Sequence, residues 1–188
     1  MIRLLDTKMK TKHVVVMKYQ TSWADAFKEI CDYLQEVVPK RFPIEHVGST
    51  SVEGLSAKPV VDIDIVYEKD EDRLFLISLL EGIGYIHEGF NGIPFRDAFK
   101  YEYSPFMKHH LYVVKKDSKA YKDHVYLRDY LRLHAKEKDA YGSLKEELAK
   151  AFPYDIDSYM DGKHSFIEEV LQKAKRWMIE KSDSFDII

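Results

Sequence analysis

The chain reads as a single α/β (α+β) domain, with helices packed on a mixed, mainly antiparallel sheet and a helical C-terminal segment. Three observations predict this. Short β-branched runs with a period of two recur between residues 44 and 115, separated by a stretch of helical spacing. Past residue 122 the apolar residues recur only at helical spacing. The 188 residues, 45% apolar and 13% aromatic, suffice for one core. The whole of 1–188 is therefore taken as one domain, with about 14–115 as its α/β core and about 122–181 as its helical part.

The elements follow in order. Met1 to Lys12 is a polar, basic lead-in without a period. His13 to Tyr19 reads as a strand or an extended approach to the first helix. Thr21 or Ser22 can cap that helix, whose apolar face is Trp23, Phe27, Ile30, Cys31 and Leu34 and which ends before Pro39. Ile44 to Val47 is a short strand running into a turn, Gly48-Ser49-Thr50-Ser51. Ser51 to Lys58 is a turn or helical loop, and Pro59 opens a second strand, where proline is tolerated. That strand, Val60 to Val66, is β-branched except for Asp62 and Asp64. Asp70 to Gly82 is a second helix, with Leu74, Phe75, Ile77 and Leu80 as its apolar residues. Tyr85 to Phe90 is a third strand. Phe95-Arg96 through Phe99-Lys100 and then Lys108 to Lys115 form a hairpin punctuated by Gly92, Pro94 and Pro105. Helices are predicted over Lys122–Lys138, Ala140–Ala151 and Asp157–Lys181, followed by a loose tail from Ser182.

Composition narrows the function. Lys and Arg number 29 against 32 Asp and Glu, a formal charge of −3, which argues against a general nucleic-acid or membrane-surface binder. Cys31 is the only cysteine, so neither a disulfide framework nor a cysteine zinc site is available, and its setting suits a buried thiol. No apolar run reaches membrane-spanning length and the N-terminus has no signal-peptide core, so a cytoplasmic location is expected.

The chemistry concentrates at residues 44–66. Strand side chains alternate, so Val61, Ile63 and Ile65 share one face and Asp62 and Asp64 the other. Two like charges side by side in a strand interior repel, and a divalent cation would reward the arrangement. Mg2+ is often held by one or two carboxylates plus substrate phosphates. Gly48 lets the backbone approach a ligand, and Ser49, Thr50 and Ser51 offer hydroxyls and amide N–H groups to phosphate oxygens. Other readings stay open: a solvated strand face for the aspartates, and local turn hydrogen bonding for the hydroxyls. His46 precedes the glycine and suits either contact with a phosphate or a hydrogen-bonded structural role. His109 and His110 are adjacent and point to opposite faces, so strand geometry does not let both ligate one metal.

The run His46-Val47-Gly48-Ser49-Thr50-Ser51-Val52-Glu53-Gly54-Leu55, then Ala57-Lys58-Pro59 and Asp62-Ile63, closely resembles the signature of the GrpB-like family, a branch assigned to the nucleotidyltransferase superfamily. The resemblance extends over about residues 14–180. It takes in Tyr19 and Trp23, the helix Leu127-Arg128-Asp129-Tyr130-Leu131-Arg132, and Tyr159, Lys163, Phe166 and Ile167. It implies a nucleotidyltransferase-like mixed sheet and a metal-dependent enzyme that moves a nucleoside monophosphate from an NTP to an unknown acceptor. Asp62 and Asp64 would be the catalytic, metal-holding residues for Mg2+ or Mn2+. Gly48, Ser49 and Thr50 would bind phosphate. Lys58, Arg96, Arg128, Arg132 and Lys163 are the basic candidates. The alternative is a non-catalytic module for a nucleotide or a coenzyme A-like phospholigand.

One departure stands out. Active nucleotidyltransferases usually carry a third carboxylate on a later strand. If Leu111 and Val113 face the core as Ile63 does, that strand offers His110 and Tyr112 instead, with Glu102 at an uncertain register. His110 is then a possible metal ligand, one that would favour Mn2+ over Mg2+.

Overall fold

The structure is a computed structural model, and it describes residues 13–185. The predicted lead-in, Met1 to Lys12, and the last three tail residues lie outside that range. A five-stranded sheet is made of β1 (Ile44–Val47), β2 (Val61–Tyr67), β3 (Tyr85–Gly89), β4 (Arg96–Tyr101) and β5 (His109–Lys115), in the order β1-β2-β5-β4-β3. Only β2 and β5 pair in parallel; the other pairings are antiparallel. The predicted approach segment contributes a single bridge, Met17 to Ala57.

Alternation divides the sheet. Val61, Ile63, Ile65, Tyr67, Leu111 and Val113 are buried against α1 (Ser22–Leu34) and α2 (Asp70–Gly82), which supply Ile30, Leu34, Leu76, Ile77 and Leu80. Of the apolar residues predicted for α2, Leu74 and Phe75 are 67% and 42% exposed. Leu76 takes the core place because it lies one turn before Leu80. Thr21 precedes α1 without a side-chain capping bond, since its own backbone is already helical. Cys31 is half-buried rather than buried. On the same side of the sheet, Asp97 of β4 has no exposed surface and receives two bonds from Arg73 of α2, at 2.6 and 2.7 Å. His87 donates a third bond, at 2.7 Å.

The opposite face carries the helical segment: α3 (Lys119–Leu133), α4 (Ala135–Ala151), α5 (Ile156–Gly162) and α6 (His164–Phe185). Val52 and Leu55, just past the turn, pack into this second core with Tyr130, Leu131, Tyr141, Val170 and Ala174. Four predicted boundaries move. The helix expected over Lys122–Lys138 starts at Lys119, capped by the Ser118 side chain, and breaks at His134, whose φ of −118° and ψ of 86° leave the helical region. The helix expected over Asp157–Lys181 divides at Lys163, which separates α5 from α6. The tail expected to be loose from Ser182 is helical through Phe185.

Candidate functional site

The site is built where β1 turns. Gly48 has φ 69° and ψ −172°, a conformation essentially reserved for glycine. It leads into one 3-10 turn, Ser49–Ser51. A Cβ on Gly48 would lie 2.2 Å from Asp62 Oδ2 and 2.9 Å from Asp62 Cγ. The turn and the first aspartate are therefore in contact, across the β1–β2 pairing that sets Val47 opposite Asp62.

Register completes the face. Asp62 is paired with His110, and Asp64 with Tyr112, as the alternation argument expected. His110 Nδ1–H donates to Asp62 Oδ1 at 2.8 Å. His124 of α3, which sequence reasoning missed, donates from Nδ1–H to Asp64 Oδ2, also at 2.8 Å. Asp64 has no exposed surface, and its Oδ1 has no hydrogen-bond partner among the described residues. Burial pushes the Asp64 carboxyl up, against the bond from His124. Burial pulls His124 down, but the bond and the charge of Asp64 outweigh it and hold that imidazole above its ordinary value. Glu102, the other carboxylate considered, lies beyond the end of β4 and is exposed.

The turn hydroxyls divide in role. Thr50 is buried; its hydroxyl donates to the Val60 carbonyl at 3.2 Å and accepts from His46 Nε2 at 3.0 Å. The Ser51 hydroxyl donates to the Gly48 carbonyl at 2.6 Å. Both hydroxyl protons are thus committed to the turn itself, and the expectation of a phosphate-binding hydroxyl on Thr50 is corrected on that ground. His46 is stacked on Phe27 at 4.6 Å, and burial pulls it to about 4, so it is a neutral, structural histidine. Ser49 lines the cavity together with Tyr141.

That cavity, of about 270 Å3, lies between the sheet face and the helical segment, and Ser49, Asp62, Tyr112, His124, Tyr141 and Lys163 are among its walls. Lys163, at the break between α5 and α6, is 8% exposed and 4.8 Å from the Tyr159 ring. Burial and the neighbouring Lys58 lower it to about 8. Behind Tyr141 sits a second residue that sequence reasoning missed. Lys145 is 2% exposed, 4.2 Å from the Tyr141 ring, and its Nζ has no hydrogen-bond partner among the described residues. Burial and Lys163 lower it to about 7. Lys58 is half-buried, 5.5 Å from the Tyr159 ring, and lowered by burial and by Lys108.

The predicted arginines are placed differently. Arg128 lines the cavity, but its guanidinium bonds Glu45 and Asp129, each at 2.7 Å, and the His46 carbonyl at 3.1 Å, bracing α3 against β1. Arg132 donates twice to the Ser51 carbonyl, at 2.9 and 3.2 Å, from behind the turn. Arg96 stands outside this cavity, with its guanidinium 4.5 Å from the Tyr112 ring centroid.

A metal ion is tested by the donors present. Among the described residues no three His, Cys, Asp or Glu side chains are grouped to hold one. His110 and His124 each bond a carboxylate through Nδ1, which leaves Nε2 as the nitrogen of each ring open to a further partner. The carboxylate donors are Asp62 and the partnerless, buried Asp64 Oδ1. This donor set fits a hard cation that takes its other ligands from water and phosphate.

The family model described as GrpB protein matches residues 13–173. The chain belongs to the GrpB family. Among curated relatives, UPF0157 protein YqkA of Bacillus subtilis (strain 168) is 32% identical over 167 residues. That match covers 88% of this chain but 48% of YqkA, so the chain spans about half the length of that relative. UPF0157 protein BH1888 of Halalkalibacterium halodurans is 28% identical over 90% of this chain and 86% of its own. The crystal structure of conserved protein GrpB from Enterococcus faecalis is similar over 87% of this chain and 99% of that one, at 33% identity and a TM-score of 0.76. Among the described residues, no helix of this GrpB-family chain is long and apolar enough to cross a membrane.

Proposed function

We propose that this GrpB-family chain is a metal-dependent nucleotidyltransferase, moving a nucleoside monophosphate from an NTP to an acceptor. One observation carries the reading: a single cavity has Asp62 and His124, the latter bonded to the buried Asp64, on one wall, and Lys163, with Lys145 behind Tyr141, on another. Asp62 and the free Oδ1 of Asp64 suit a cation. Among the described residues Lys145 Nζ has no hydrogen-bond partner and Lys163 lies against the Tyr159 ring, and both suit an anion. Burying an unpaired charge is expensive, and a metal–polyphosphate complex offsets both imbalances at once. Ser49 and the Gly48 backbone position a phosphate beside Asp62, and His124 holds Asp64 by one oxygen, leaving the other turned to the cation. A bound Mg2+ or Mn2+ would neutralise phosphate charge during in-line displacement.

The second reading is a non-catalytic module for a nucleotide or coenzyme A-like phospholigand, and the sheet face favours it in one respect. His110 and Tyr112 occupy the register where a third carboxylate would sit, so a second metal has no protein ligand there. Thermal-shift measurements with the four NTPs, in Mg2+, Mn2+ or EDTA, test for the nucleotide; pyrophosphate release tests for transfer. Transfer predicts a metal-dependent shift and pyrophosphate, both lost on Asp62→Ala with Asp64→Ala. A shift without pyrophosphate under any acceptor supports the binding module. Metal-independent shifts that survive the double substitution would sink the transferase and leave the binding module.

A further inference from the structure

Four lysines follow one another outward from the phosphate cavity. Lys145 stands innermost, 2% exposed, behind Tyr141 and 4.2 Å from its ring. Lys163 comes next, 8% exposed, on the cavity wall and 4.8 Å from the Tyr159 ring. Lys58 lies against that same ring, at 5.5 Å, but outside the cavity walls. Two backbone bonds seat Lys108 beside it. The Val60 N–H donates to the Lys58 carbonyl at 2.8 Å, and the Val61 N–H donates to the Lys108 carbonyl at 3.0 Å. Lys108 itself is exposed. Burial lowers the first three, and each is lowered further by the charge of the next: Lys145 by Lys163, Lys163 by Lys58, and Lys58 by Lys108.

Such a row repels itself. Asp62 is the one carboxylate whose charge supports all three inner members, and a metal bound at Asp62 would spend that charge. What relieves the row is an anion lying along it. Its occupant has to be as long as the row and thin enough to follow it inward. Lys163, with Lys145 behind, answers phosphates inside the cavity. Lys58 and Lys108 lie outside its walls and answer only phosphates that extend beyond it. A nucleic-acid strand needs exposed cations along its phosphates, and of these four only Lys108 is exposed. An unbranched phosphate chain has no side groups and carries negative charge at every repeat.

We infer that the row is a track for a linear polyphosphate, whose inner phosphates lie at Lys163 and whose outer ones pass Lys58 to reach Lys108. The ligand then has a chain of four or more phosphates, either capped by a nucleoside or free. The inference rests on the reading of the cavity as a phosphate site.

Isothermal titration calorimetry on the full chain in Mg2+ tests the track. ATP and adenosine 5′-tetraphosphate form one pair of probes, and inorganic tri- and tetraphosphate form the other. In at least one pair the fourth phosphate should tighten binding about fivefold, the scale of one exposed charge pair. Lys108→Gln should remove that gain and leave binding of the three-phosphate member unchanged, which also shows that the variant is folded. Lys69→Gln, at an exposed lysine just before α2, should keep the gain. Equal Kd for three and four phosphates in both pairs would overturn the track and leave the phosphate site standing. So would a gain lost as fully in Lys69→Gln, or three-phosphate binding weakened in Lys108→Gln as much as four-phosphate binding. No binding of any probe overturns the phosphate site and the track together. A gain in the adenosine pair assigns a nucleoside-capped chain, and a gain in the inorganic pair alone assigns free polyphosphate.

Discussion

Gly48→Ala is the most informative single substitution in this chain. Two separate effects follow from its geometry. The backbone, at φ 69° and ψ −172°, is in a region that costs a residue with a Cβ about 1 to 3 kcal/mol. The new methyl would also meet Asp62 Oδ2 at 2.2 Å, Cγ at 2.9 Å and Cβ at 3.0 Å, so the whole Asp62 side chain must move and its bond from His110 must re-form elsewhere. A destabilisation of about 2 kcal/mol would lower Tm by about 4 to 8 °C in a chain of this size. Displacement of Asp62 would in addition remove the metal-dependent stabilisation by NTP, worth about 2.7 kcal/mol at a hundredfold excess over Kd. Gly54→Ala separates the two effects. Gly54 has a similar φ of 79°, but its methyl would meet only the flexible end of Lys138, at 3.2 Å. Differential scanning fluorimetry with and without MgATP should show both variants destabilised and only Gly48→Ala unresponsive to nucleotide. An unchanged Tm and an intact nucleotide shift in Gly48→Ala would refute the contact between turn and aspartate.

Other outcomes follow from the charged groups. Asp64→Asn should lower the pKa of His124, read by imidazole NMR, because the carboxylate's bond and charge hold it up while burial pulls it down; a constant value would show that the pair is not formed. Lys145→Met should raise Tm without ligand by removing an unpaired buried ammonium, on the order of 1 to 3 kcal/mol, and should weaken stabilisation by inorganic tripolyphosphate. Its pH dependence has a definite sign. With Lys145 lowered to about 7, the unfolded chain holds a proton that the folded chain has released between about pH 7 and 10, so stability rises with pH there. Denaturant midpoints across that window should rise less steeply in Lys145→Met, and equal slopes would contradict its burial as an unpaired base. Arg128→Met should cost about 1 to 3 kcal/mol by removing the guanidinium bonds to Glu45 and Asp129, which leaves Asp129 only the longer contact with Arg132 at 3.6 Å. A loss of NTP affinity at constant stability would instead make Arg128 a phosphate ligand.

Much of this architecture was legible because it depends on local periodicity. Strand alternation placed Asp62, Asp64, His110 and Tyr112 on one face, and the register confirms it pair by pair. Asp70 and Gly82 punctuate α2 so clearly that its bounds match the expectation. The boundaries at His134 and Lys163 were hidden because neither break carries a proline, and the helical period runs through both. Thr50 was misread because a hydroxyl beside a glycine turn suits phosphate and turn chemistry equally, and only the Val60 carbonyl at 3.2 Å decides between them. His124 and Lys145 were missed for another reason: their partners are remote in sequence. A signal existed. Lys145 is four residues from Tyr141 and three from Leu148, and His124 is three from Leu127 and seven from Leu131, so each interrupts an apolar helical stripe.

Those two interruptions bear on why the site is polar at all. A sheet face packed against helices could be filled with apolar side chains, as the opposite face largely is apart from Asp97. Here it holds a buried carboxylate with one free oxygen and, across the cavity, two lysines lowered to about 7 and 8. The positive and negative groups are not each other's partners: the carboxylates bond histidines, and the lysines lie against tyrosine rings. Direct ion pairs between them would have relieved both penalties within the protein. Keeping them apart leaves that relief to a ligand with its own separated charges, cation toward the aspartates and anion toward the lysines. A metal-bound polyphosphate has that polarity, whereas a lone carboxylate ligand could satisfy only the lysine side. Tripolyphosphate should accordingly stabilise the protein more with Mg2+ than with EDTA, while citrate-sized carboxylates without metal should do neither; equal stabilisation with and without Mg2+ would detach the aspartates from the anion site.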